Sequence, residues 1–423
     1  MPRLLLYYHF FHPSDVVSAR QFSDLGAEQV ARGWEVTAVT SDRAWHDPTV
    51  RYPARETWRG IEIHRVHRPA WPQSRALTRL GNSAYLLGAW TRHSRTLPPV
   101  DAIVIGSDPA FAPLLALPLA RLRPSTPIVH WCFDLYPEAI EAEGRGAGSS
   151  LTALGMPAAR RLMAAAYRRC DTLVDIGSTM RRRLAAYGTP ARHATLPPWA
   201  LVEPERPSPI DRAARAALFP AETRLALIYA GTMGRAHDFE PLLELARACR
   251  ARSGRAIGFC FACRGNRLDE LRAAVRAEDV NVTFAPFGTE AELPARLAAA
   301  DLHVVSLRPE WQGLVVPSKF FASLAVGRPV LFTGPADSEI TDWIAELGVG
   351  LAVHGPADRA AAVEALHRLA LAPAELAAWQ AEVHARYAES FSKRATNDRW
   401  DRLLREIAAR SSSSSSRTSP TST

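Results

Sequence analysis

The sequence predicts an α/β protein in which two doubly wound domains follow each other along the chain. Three observations indicate this class. A strand–loop–helix–strand pattern occupies residues 3–41, the same pattern returns over residues 224–263, and a proline-rich segment lies between the two. Units of this kind build parallel sheets with right-handed crossovers, and ligands bind at the carboxyl ends of their strands.

The first pattern consists of a strand RLLLYYHF, a loop FHPSDVVS, a helix ARQFSDLGAEQVARG and a strand WEVTAVTS. Phe22, Leu25 and Val30 lie near one face of the helix, whereas Gly26 and Gln29 interrupt that apolar stripe. A glycine is expected to end the helix at position 33. Further predicted strands of this half are GIEIHRV, DAIVIGS, PIVHWCFD and TLVDIGS.

The second pattern consists of a strand RLALIYA, a glycine-bearing loop GTMGRAHD, a helix FEPLLELARACRAR and a strand AIGFCFAC. Further predicted strands are NVTFAPFG, LHVVSL, PVLFTG and GVGLAV. They are short and bounded by turns or helices, as strands of a parallel sheet are.

The segment LPPWALVEPERPSPIDR at residues 196–212 is the predicted domain boundary, because its prolines make a stiff, extended connector. The amphipathic residues near the end of the chain predict a helix that packs back across this boundary, and the serine-rich tail predicts disorder. The expected segments are an N-terminal domain 1–200, a linker 201–212, a C-terminal domain 213–385, a helix 386–410 and a tail 411–423.

The composition and charge of the chain narrow the classes of function that the protein can have. The 423 residues carry a net charge of +8, which favours anionic partners, but the charge is spread without a basic block and disfavours nucleic acid. We expect neither a secretory signal nor a membrane-spanning helix. Five cysteines are few and odd in number, as in proteins of reducing compartments.

Two short motifs suggest metal or redox chemistry without requiring it. Cys260 and Cys263 form a C-x-x-C in IGFCFACRG, but no second pair exists and the segment has the pattern of a buried strand. The HRVH segment at residues 64–67 is interpreted as strand surface. We therefore expect no metal site.

The loop GTMGR, from Gly231 to Arg235, is the first candidate for phosphate binding. Its glycines let backbone N–H groups approach an oxyanion, and the helix that follows offers its positive end. Arg235 is placed to reach a diphosphate. An ordinary tight turn is the alternative interpretation.

Lys319 is the second candidate for phosphate binding, and the rarity of lysine in this chain singles it out. The chain has only two lysines, Lys319 and Lys393, among 51 lysines and arginines. Ser318 is a predicted N-cap, which places Lys319 in the first turn of a short helix that ends at Gly327. A cation there opposes the helix dipole, so its placement indicates a nearby anion, unless it is an ordinary surface lysine.

Ser338 and Glu339 follow the strand PVLFTG, at its expected carboxyl end. A carboxylate in this place can accept hydrogen bonds from sugar hydroxyls. The same two residues can equally cap the helix EITDWIAELG, and the sequence leaves both possibilities open.

These segments resemble the family-four retaining glycosyltransferases. YAGTMGRAHDFEPLLELA and AADLHVVSLRPEWQGLVVPSKFFASLAVGRPVLFTGPADSEI are similar to the donor-binding half of that family, in the branch that builds bacterial surface polysaccharides such as colanic acid and O-antigen. SARQFSDLGAEQVARGWEVTAVT and HWCFDLYPEAI are similar to the acceptor half. The resemblance extends to about residue 405.

The resemblance implies the B-type glycosyltransferase fold, with two Rossmann-like domains and an interdomain cleft. It implies a retaining hexosyltransferase that needs no metal or other cofactor and uses a nucleotide diphosphate sugar as donor. The acceptor is a hydroxyl, expected to belong to a lipid-linked saccharide in surface polysaccharide biosynthesis.

The resemblance also assigns residues to the two halves. Lys319 is expected to meet the donor diphosphate beside Arg235, and Asp134 to orient the acceptor. The further donor-binding residues are Gly231, Thr232, Gly234, Ser318, Ser338 and Glu339, and the further acceptor-side residues are Arg20, His130 and Glu138. A histidine packed inside the sheet is the alternative for His130.

The chain departs from the family pattern at three positions. Relatives carry a glutamate at the position of Ala322, with a second one at the position of Leu314, and an asparagine at that of Thr232. Recognition of the donor nucleoside must therefore use other residues, and the identity of the base stays open.

Residues 75–95 and 158–169 combine arginine with leucine, tyrosine and alanine at roughly helical spacing. Such segments can lie on an anionic leaflet, or they can be helices that cover the sheet. We expect a cytoplasmic protein attached peripherally to the inner face of the cytoplasmic membrane.

Three other functions stay open at this stage. A sugar-nucleotide epimerase of the same architecture would act on the donor without an acceptor. A catalytically silent protein would bind the nucleotide sugar without turnover. A nucleic-acid binder would need a focused basic face with aromatic residues, and the sequence does not indicate one.

Overall fold

The computed structural model describes residues 1–72, 76–144 and 150–416, and the chain divides into two units. The first unit comprises Met1–Pro197 and the chain from Thr396 onward, and the second comprises Pro198–Ala395. The proline-rich segment 198–211 thus lies with the second unit. Ser208 explains this, since its N–H donates to the Val326 carbonyl at 3.1 Å and its carbonyl accepts from Arg328 at 2.7 Å.

In the described part of the first unit, an eight-stranded sheet is flanked by helices. The strands pair in parallel in the order β3-β4-β2-β1-β5-β6-β7-β8, except for the antiparallel pair β3–β4. They are β1 (Arg3–Tyr7), β2 (Glu35–Ser41), β3 (Arg55–Trp58), β4 (Ile61–Val66), β5 (Ala102–Ile105), β6 (Ile128–Trp131), β7 (Thr172–Asp175) and β8 (Arg192–Thr195). The helices are α1 (Val17–Ala31), α2 (Ala76–His93), α3 (Ala116–Leu122), α4 (Glu138–Gly144), α5 (Ser150–Tyr167) and α6 (Ser178–Ala185).

Of the two residues that interrupt the apolar stripe of α1, Gly26 has a packing explanation. Gly26 faces β4, where a Cβ atom would lie 2.8 Å from Ile61 Cδ1, so only glycine lets the helix approach the sheet this closely. Gln29 is fully buried. The helix ends as expected, with Gly33 at a φ of +88°.

In the second unit, a six-stranded parallel sheet has the order β11-β10-β9-β12-β13-β14. The strands are β9 (Leu225–Thr232), β10 (Ile257–Arg264), β11 (Val282–Ala285), β12 (Leu302–Ser306), β13 (Val330–Thr333) and β14 (Gly350–Val353). The helices are α7 (Arg212–Leu218), α8 (Glu240–Ser253), α9 (Leu268–Ala274), α10 (Leu293–Ala298), α11 (Lys319–Ala325), α12 (Glu339–Leu347), α13 (Pro356–Leu371) and α14 (Pro373–Ser390).

Cys260 and Cys263 are buried free thiols of β10. Three positions apart on a strand, they point to opposite faces, and they belong to two different apolar clusters. They act as small apolar residues, as the strand pattern indicates. In the parts of the chain described, no group of three or more candidate ligands is placed to hold a metal ion.

The helix predicted at residues 386–410 is interrupted. Helix α14 ends before Phe391, and α15 (Lys393–Ser416) begins after Ser392, whose hydroxyl accepts from the N–H of Ala395 at 3.2 Å. The tail was expected to be disordered from residue 411, but α15 continues to Ser416, since serine can extend a helix that is already formed. Residues 417–423 lie outside the described residues.

From Thr396 onward, α15 packs on the first unit. Trp34 donates its indole N–H to Asp401 at 2.9 Å, and Arg32 pairs with Asp398 at 2.8 Å. Trp400 is fully buried and packs edge-on against Trp131 of β6, with ring centroids 4.9 Å apart. This end of the chain is therefore part of the core of the first unit. No described helix is long and apolar enough to cross a bilayer.

Replacing Trp400 tests this packing. Trp400→Ala removes a fully buried indole, and we expect it to lower the free energy of unfolding of the first unit by about 3–5 kcal/mol. Differential scanning calorimetry measures the effect. Leu371→Ala, at a leucine that is 59% exposed, is the control and should leave the midpoint within a degree or two. Equal midpoints for the two variants would contradict a core role for α15.

Candidate functional site

The loop after β9 is held in a conformation that suits glycine. Gly231 has a φ of +136°, and a Cβ atom there would lie 3.0 Å from Cε of Lys319. The buried Met233 then anchors the loop, because its N–H donates to the Arg264 carbonyl at 2.6 Å. The glycine loop and Lys319, which are 87 residues apart, are thus in direct contact.

The Lys319 ammonium lies in a confined polar site. Its Nζ donates to the Thr232 carbonyl at 3.3 Å, lies 3.1 Å from His237 Nε2, and lies 4.7 Å from the centre of the Tyr229 ring. None of these partners is an anion. Desolvation by burial therefore lowers the pKa of Lys319 to about 7.

His237 has its tautomer fixed by its neighbours. Its Nδ1 lies 2.7 Å from the Ser306 carbonyl, which can only accept, so Nδ1 carries the proton. Nε2 is left with a lone pair that accepts from the Lys319 ammonium. Burial, and then the nearby Lys319, lower the pKa of His237 to about 3, so the imidazole stays neutral.

This environment explains why a chain so rich in arginine has a lysine here. The ammonium is a compact charge that fits between the Gly231 backbone, the Tyr229 ring and the imidazole, whereas a guanidinium is a wide planar fork. Tyr229 itself is fixed, since its hydroxyl donates to the Thr232 carbonyl at 2.9 Å.

The prediction that Ser318 caps the helix is wrong. Ser318 is itself helical, with φ −60° and ψ −21°, and its side chain makes no capping hydrogen bond. A capping serine needs an extended backbone, and the helical angles of Ser318 do not provide one. Gly234 and the exposed Arg235 lie in the turn that follows Met233.

Ser338 does cap α12. Its hydroxyl accepts from the Thr341 N–H at 3.3 Å, which is the capping alternative that the sequence left open. Glu339 is buried, at 2% exposure, in the first turn of that helix. Contact of either residue with a donor stays a prediction.

In the first unit, polar residues follow five neighbouring strands at the carboxyl edge of the sheet. In spatial order, from β4 through β2, β1 and β5 to β6, they are Arg68, Asp42, His9, Asp108 and Asp134. Parallel strands bring their carboxyl ends to one edge, so the topology gathers residues that are far apart in the sequence.

Asp134 is the predicted catalytic residue of this edge. The segment that carries it is fixed by Ser107, whose hydroxyl accepts from the N–H groups of Phe133 at 2.9 Å and Asp134 at 3.2 Å. Burial, and then the charge of Asp108, raise the pKa of Asp134 to about 7. A carboxyl group with this pKa can hold or release a proton near neutral pH.

The other acceptor-side residues are placed differently. His130 is buried in β6, and its Nδ1 donates to the Ile105 carbonyl at 2.9 Å. Burial lowers the pKa of His130 to about 4. The structure thus agrees with the alternative interpretation of His130 as a histidine packed inside the sheet. Glu138 begins α4, where it accepts from the Tyr187 hydroxyl at 2.8 Å and pairs with Arg160. Arg20 is half-buried near the start of α1.

The sequence analysis missed His237, Tyr229 and Asp108. His237 is visible as the histidine of GTMGRAHD, six positions after Gly231, and Asp108 follows the strand DAIVI as Asp134 follows PIVHW. Tyr229 was assigned only to the strand that precedes the loop. The positions of His237 and Asp108 after predicted strands are the sequence signal that marks these two residues.

Lys319 makes the stability of the protein depend on pH. Its pKa is lowered from 10.5 to about 7, so between these values the unfolded chain binds the proton more tightly. The resulting destabilisation is fully present below pH 7 and disappears toward pH 10.5. We expect Lys319→Met to raise the thermal midpoint by a few degrees at pH 6.5 and by much less at pH 10.

Thermal unfolding followed by circular dichroism at both pH values measures this difference. Lys393→Met changes the only other lysine and is the matched control, for which no such pH-dependent gain is expected. A Lys319→Met protein that is less stable than the parent at pH 6.5 would contradict the desolvation of the ammonium.

Comparison with known proteins agrees with this architecture. Residues 18–199 match the family described as glycosyl transferase 4-like domain. The probable glycosyltransferase WbjE of Pseudomonas aeruginosa is 27% identical over 253 residues, which are 59% of this chain and 61% of WbjE. The chain thus spans about three fifths of the length of that relative.

Solved structures share the fold over nearly the whole chain. WaaG, a glycosyltransferase involved in lipopolysaccharide biosynthesis, is 17% identical with a TM-score of 0.61, covering 95% of this chain and 99% of WaaG. HepE of Anabaena in complex with UDP is 12% identical with a TM-score of 0.62, covering 96% and 100%. The predicted fold class is confirmed. Residues 18–199 are thus similar to the glycosyl transferase 4-like domain, and the solved structures show that the two units have the B-type glycosyltransferase fold.

Proposed function

We propose that the protein is a retaining glycosyltransferase that moves a hexose from a nucleotide diphosphate sugar to a hydroxyl group. One observation carries the proposal. The Lys319 ammonium lies beside the Gly231 loop at the carboxyl end of β9, desolvated and without an anion among its contacts. A diphosphate supplies the missing counter-charge, and the UDP complex of HepE, a protein of the same fold, supports a nucleotide.

The proposed chemistry is stabilisation of the leaving diphosphate. Negative charge builds on the phosphate oxygen as the glycosidic bond breaks, and preformed donors lower that barrier most effectively. Lys319, Arg235 and the N–H groups of residues 231–234 supply positive charge in this proposal, so no metal ion is required. Binding of the diphosphate raises the pKa of Lys319 and keeps its ammonium protonated.

Asp134 is proposed to orient the acceptor. The acceptor hydroxyl attacks the anomeric carbon from the face that the diphosphate leaves, and its proton passes to the departing phosphate oxygen. No enzyme nucleophile takes part. An Asp134 carboxyl whose pKa is near 7 can accept a hydrogen bond from this hydroxyl when it is ionised.

The proposed acceptor is a lipid-linked saccharide of surface polysaccharide biosynthesis. The part that WaaG plays in lipopolysaccharide biosynthesis supports this class. The buried free state of all five cysteines agrees with a reducing, cytoplasmic location. An epimerase is the second candidate, and it differs in needing no acceptor.

Ligand binding gives the first test. A thermal-shift screen against UDP, GDP, ADP and CMP sugars should show one donor class that raises the midpoint, because a ligand bound to the folded state stabilises it. Release of free nucleotide only when an acceptor is present then separates a transferase from an epimerase or a silent binder. No shift with any nucleotide sugar would contradict the proposal.

Replacing Lys319 gives the second test. We expect Lys319→Ala to lower kcat/KM for sugar transfer by about 10²–10³-fold, because it removes a charge aimed at the leaving group. Lys393→Ala, the matched control, should retain the parental rate. Initial rates with the donor identified in the screen measure both, and normal activity of Lys319→Ala would refute the assigned role.

Membrane attachment is proposed through α2 and the segment before it. Leu77 is 84% exposed, and Trp71, Leu80 and Tyr85 are each about two fifths exposed. Arg92 and other arginines lie on the same segment, so apolar insertion and attraction to anionic lipid act together. In α5, Leu162 is exposed, but Arg160 is paired with Glu138 and Glu141.

Liposome co-sedimentation tests this attachment. We expect binding to vesicles that contain phosphatidylglycerol at low salt, weaker binding at high salt, and at least a tenfold loss in the double variant Leu77→Glu/Leu80→Glu. Leu371→Glu, at an exposed leucine of the second unit, is the control. Absence of binding at low salt would count against the proposal.

A further inference from the structure

Arg68 is a buried cation without a counter-ion. It follows β4 at the carboxyl edge of the first sheet and is 0% exposed. Within the described residues, its Nε and Nη1 have no hydrogen-bond partner, and Nη2 has only the Ala44 carbonyl at 3.4 Å. A guanidinium has five N–H donors, so most of its hydrogen-bonding capacity is unused.

The neighbouring charges do not neutralise Arg68. Asp42 accepts from the backbone N–H of Arg68 at 2.9 Å, but its carboxylate pairs with Arg51 at 2.7 Å and with His67 at 3.2 Å. Burial, and then the nearby Arg43, lower the pKa of Arg68, and the charges of Asp42 and Asp108 offset this lowering only in part. A charge buried in this way is costly unless an anion accompanies it.

Arg65, three residues earlier, shows what a structural arginine looks like in the same fold. It is also buried, at 6% exposure, but it pairs with Glu56 at 2.7 Å and donates to the His12 and Pro53 carbonyls at 2.6 and 3.1 Å. Burial alone therefore does not explain the unused donors of Arg68.

His9 also has a ring nitrogen whose hydrogen-bonding capacity is unused. It follows β1, is 2% exposed, and its Nδ1 lies 3.2 Å from the Asp108 carboxylate. Because a carboxylate accepts, Nδ1 carries a proton, and Nε2 has no hydrogen-bond partner in the described structure. The backbone of His9 is fixed, since its carbonyl accepts from the hydroxyls of Thr40 and Ser41 at 2.8 and 2.9 Å.

Phe10 places the two groups in one site. The His9 ring stacks on Phe10 with centroids 3.8 Å apart, and the Arg68 guanidinium carbon lies 5.8 Å from the same ring. Trp45, which is 40% exposed, packs edge-on against the same Phe10 ring, with ring centroids 5.3 Å apart.

We propose that Arg68 and His9 form a subsite for a phosphate-bearing sugar, in which the phosphate accepts from Arg68 and a sugar hydroxyl donates to His9 Nε2. This inference rests on the proposed function and defines the acceptor as a glycosyl phosphate or diphosphate. The sequence of groups along the sheet edge supports it, because Asp108 lies between this subsite and Asp134. In this arrangement Arg68 and His9 hold the phosphate on one side of Asp134, whose carboxyl is proposed to orient the attacking hydroxyl.

The experiment measures phosphate binding without donor or turnover. The full-length Lys319→Ala/Arg235→Ala protein, which lacks the groups proposed for the donor diphosphate, is titrated with inorganic phosphate, methyl phosphate, α-glucose 1-phosphate and acetate. We expect the three phosphates to raise the thermal midpoint and acetate not to. Adding Arg68→Gln should abolish the phosphate shift, whereas Arg65→Gln should lower the starting midpoint but keep the shift.

Separate binding affinities test the role of His9. α-Glucose 1-phosphate should bind at least fivefold more tightly than methyl phosphate, and adding His9→Phe should remove that advantage while inorganic phosphate still binds. Isothermal titration gives these affinities, and circular dichroism checks that each variant is folded.

Three results would overturn the subsite: no phosphate response in the Lys319→Ala/Arg235→Ala protein, a response that survives Arg68→Gln, or a response to acetate alone. Failure of the proposed transferase activity is distinguishable, since it would appear in the turnover assay and leave these binding results unchanged.

Discussion

The free-energy cost of removing the Lys319 ammonium from water is the constraint on which the packing around the Gly231 loop depends. Lys319 has a carbonyl, an imidazole nitrogen and an aromatic face around it, and each stabilises a cation only in part. The glycine at position 231 provides the room, and the neutral His237 avoids a second positive charge. In the proposed function these neighbours form a preformed receptor for the negative charge of a diphosphate, and the desolvated ammonium lowers the stability of the ligand-free protein.

The first unit uses the same parallel topology for a different purpose. Its carboxyl edge collects carboxylates, a histidine and Arg68, and burial, followed by the charge of Asp108, raises the pKa of the Asp134 carboxyl to about 7. The two units therefore place different groups at equivalent edges: a desolvated ammonium in the second unit, and a carboxyl group with a pKa near 7 in the first. In the proposed transfer reaction these groups have complementary roles, since the leaving group acquires charge while the attacking hydroxyl loses a proton.

Much of this arrangement could be predicted from the sequence, and each prediction that failed has a physical reason. The repeated strand–loop–helix pattern predicted both sheets, and the rarity of lysine singled out Lys319. The Ser318 cap failed because capping depends on a backbone angle that residue type alone does not determine. His130 shows a related limit, since a strand histidine has the same sequence pattern whether its ring lies in the core or at an edge. The contacts of His237 with Lys319 and of Asp108 with His9 depend on which strands lie side by side, which the sequence pattern does not determine.

The scarcity of lysine, together with the depressed pKa of Lys319, has a practical consequence for the chemistry of the isolated protein. Amine-reactive reagents modify the neutral amine, and at mildly alkaline pH Lys319 is largely in that form. The chain therefore carries its own nearly unique acylation target at the glycine loop, so that the occupancy of this loop can be followed by mass spectrometry on the unmodified sequence.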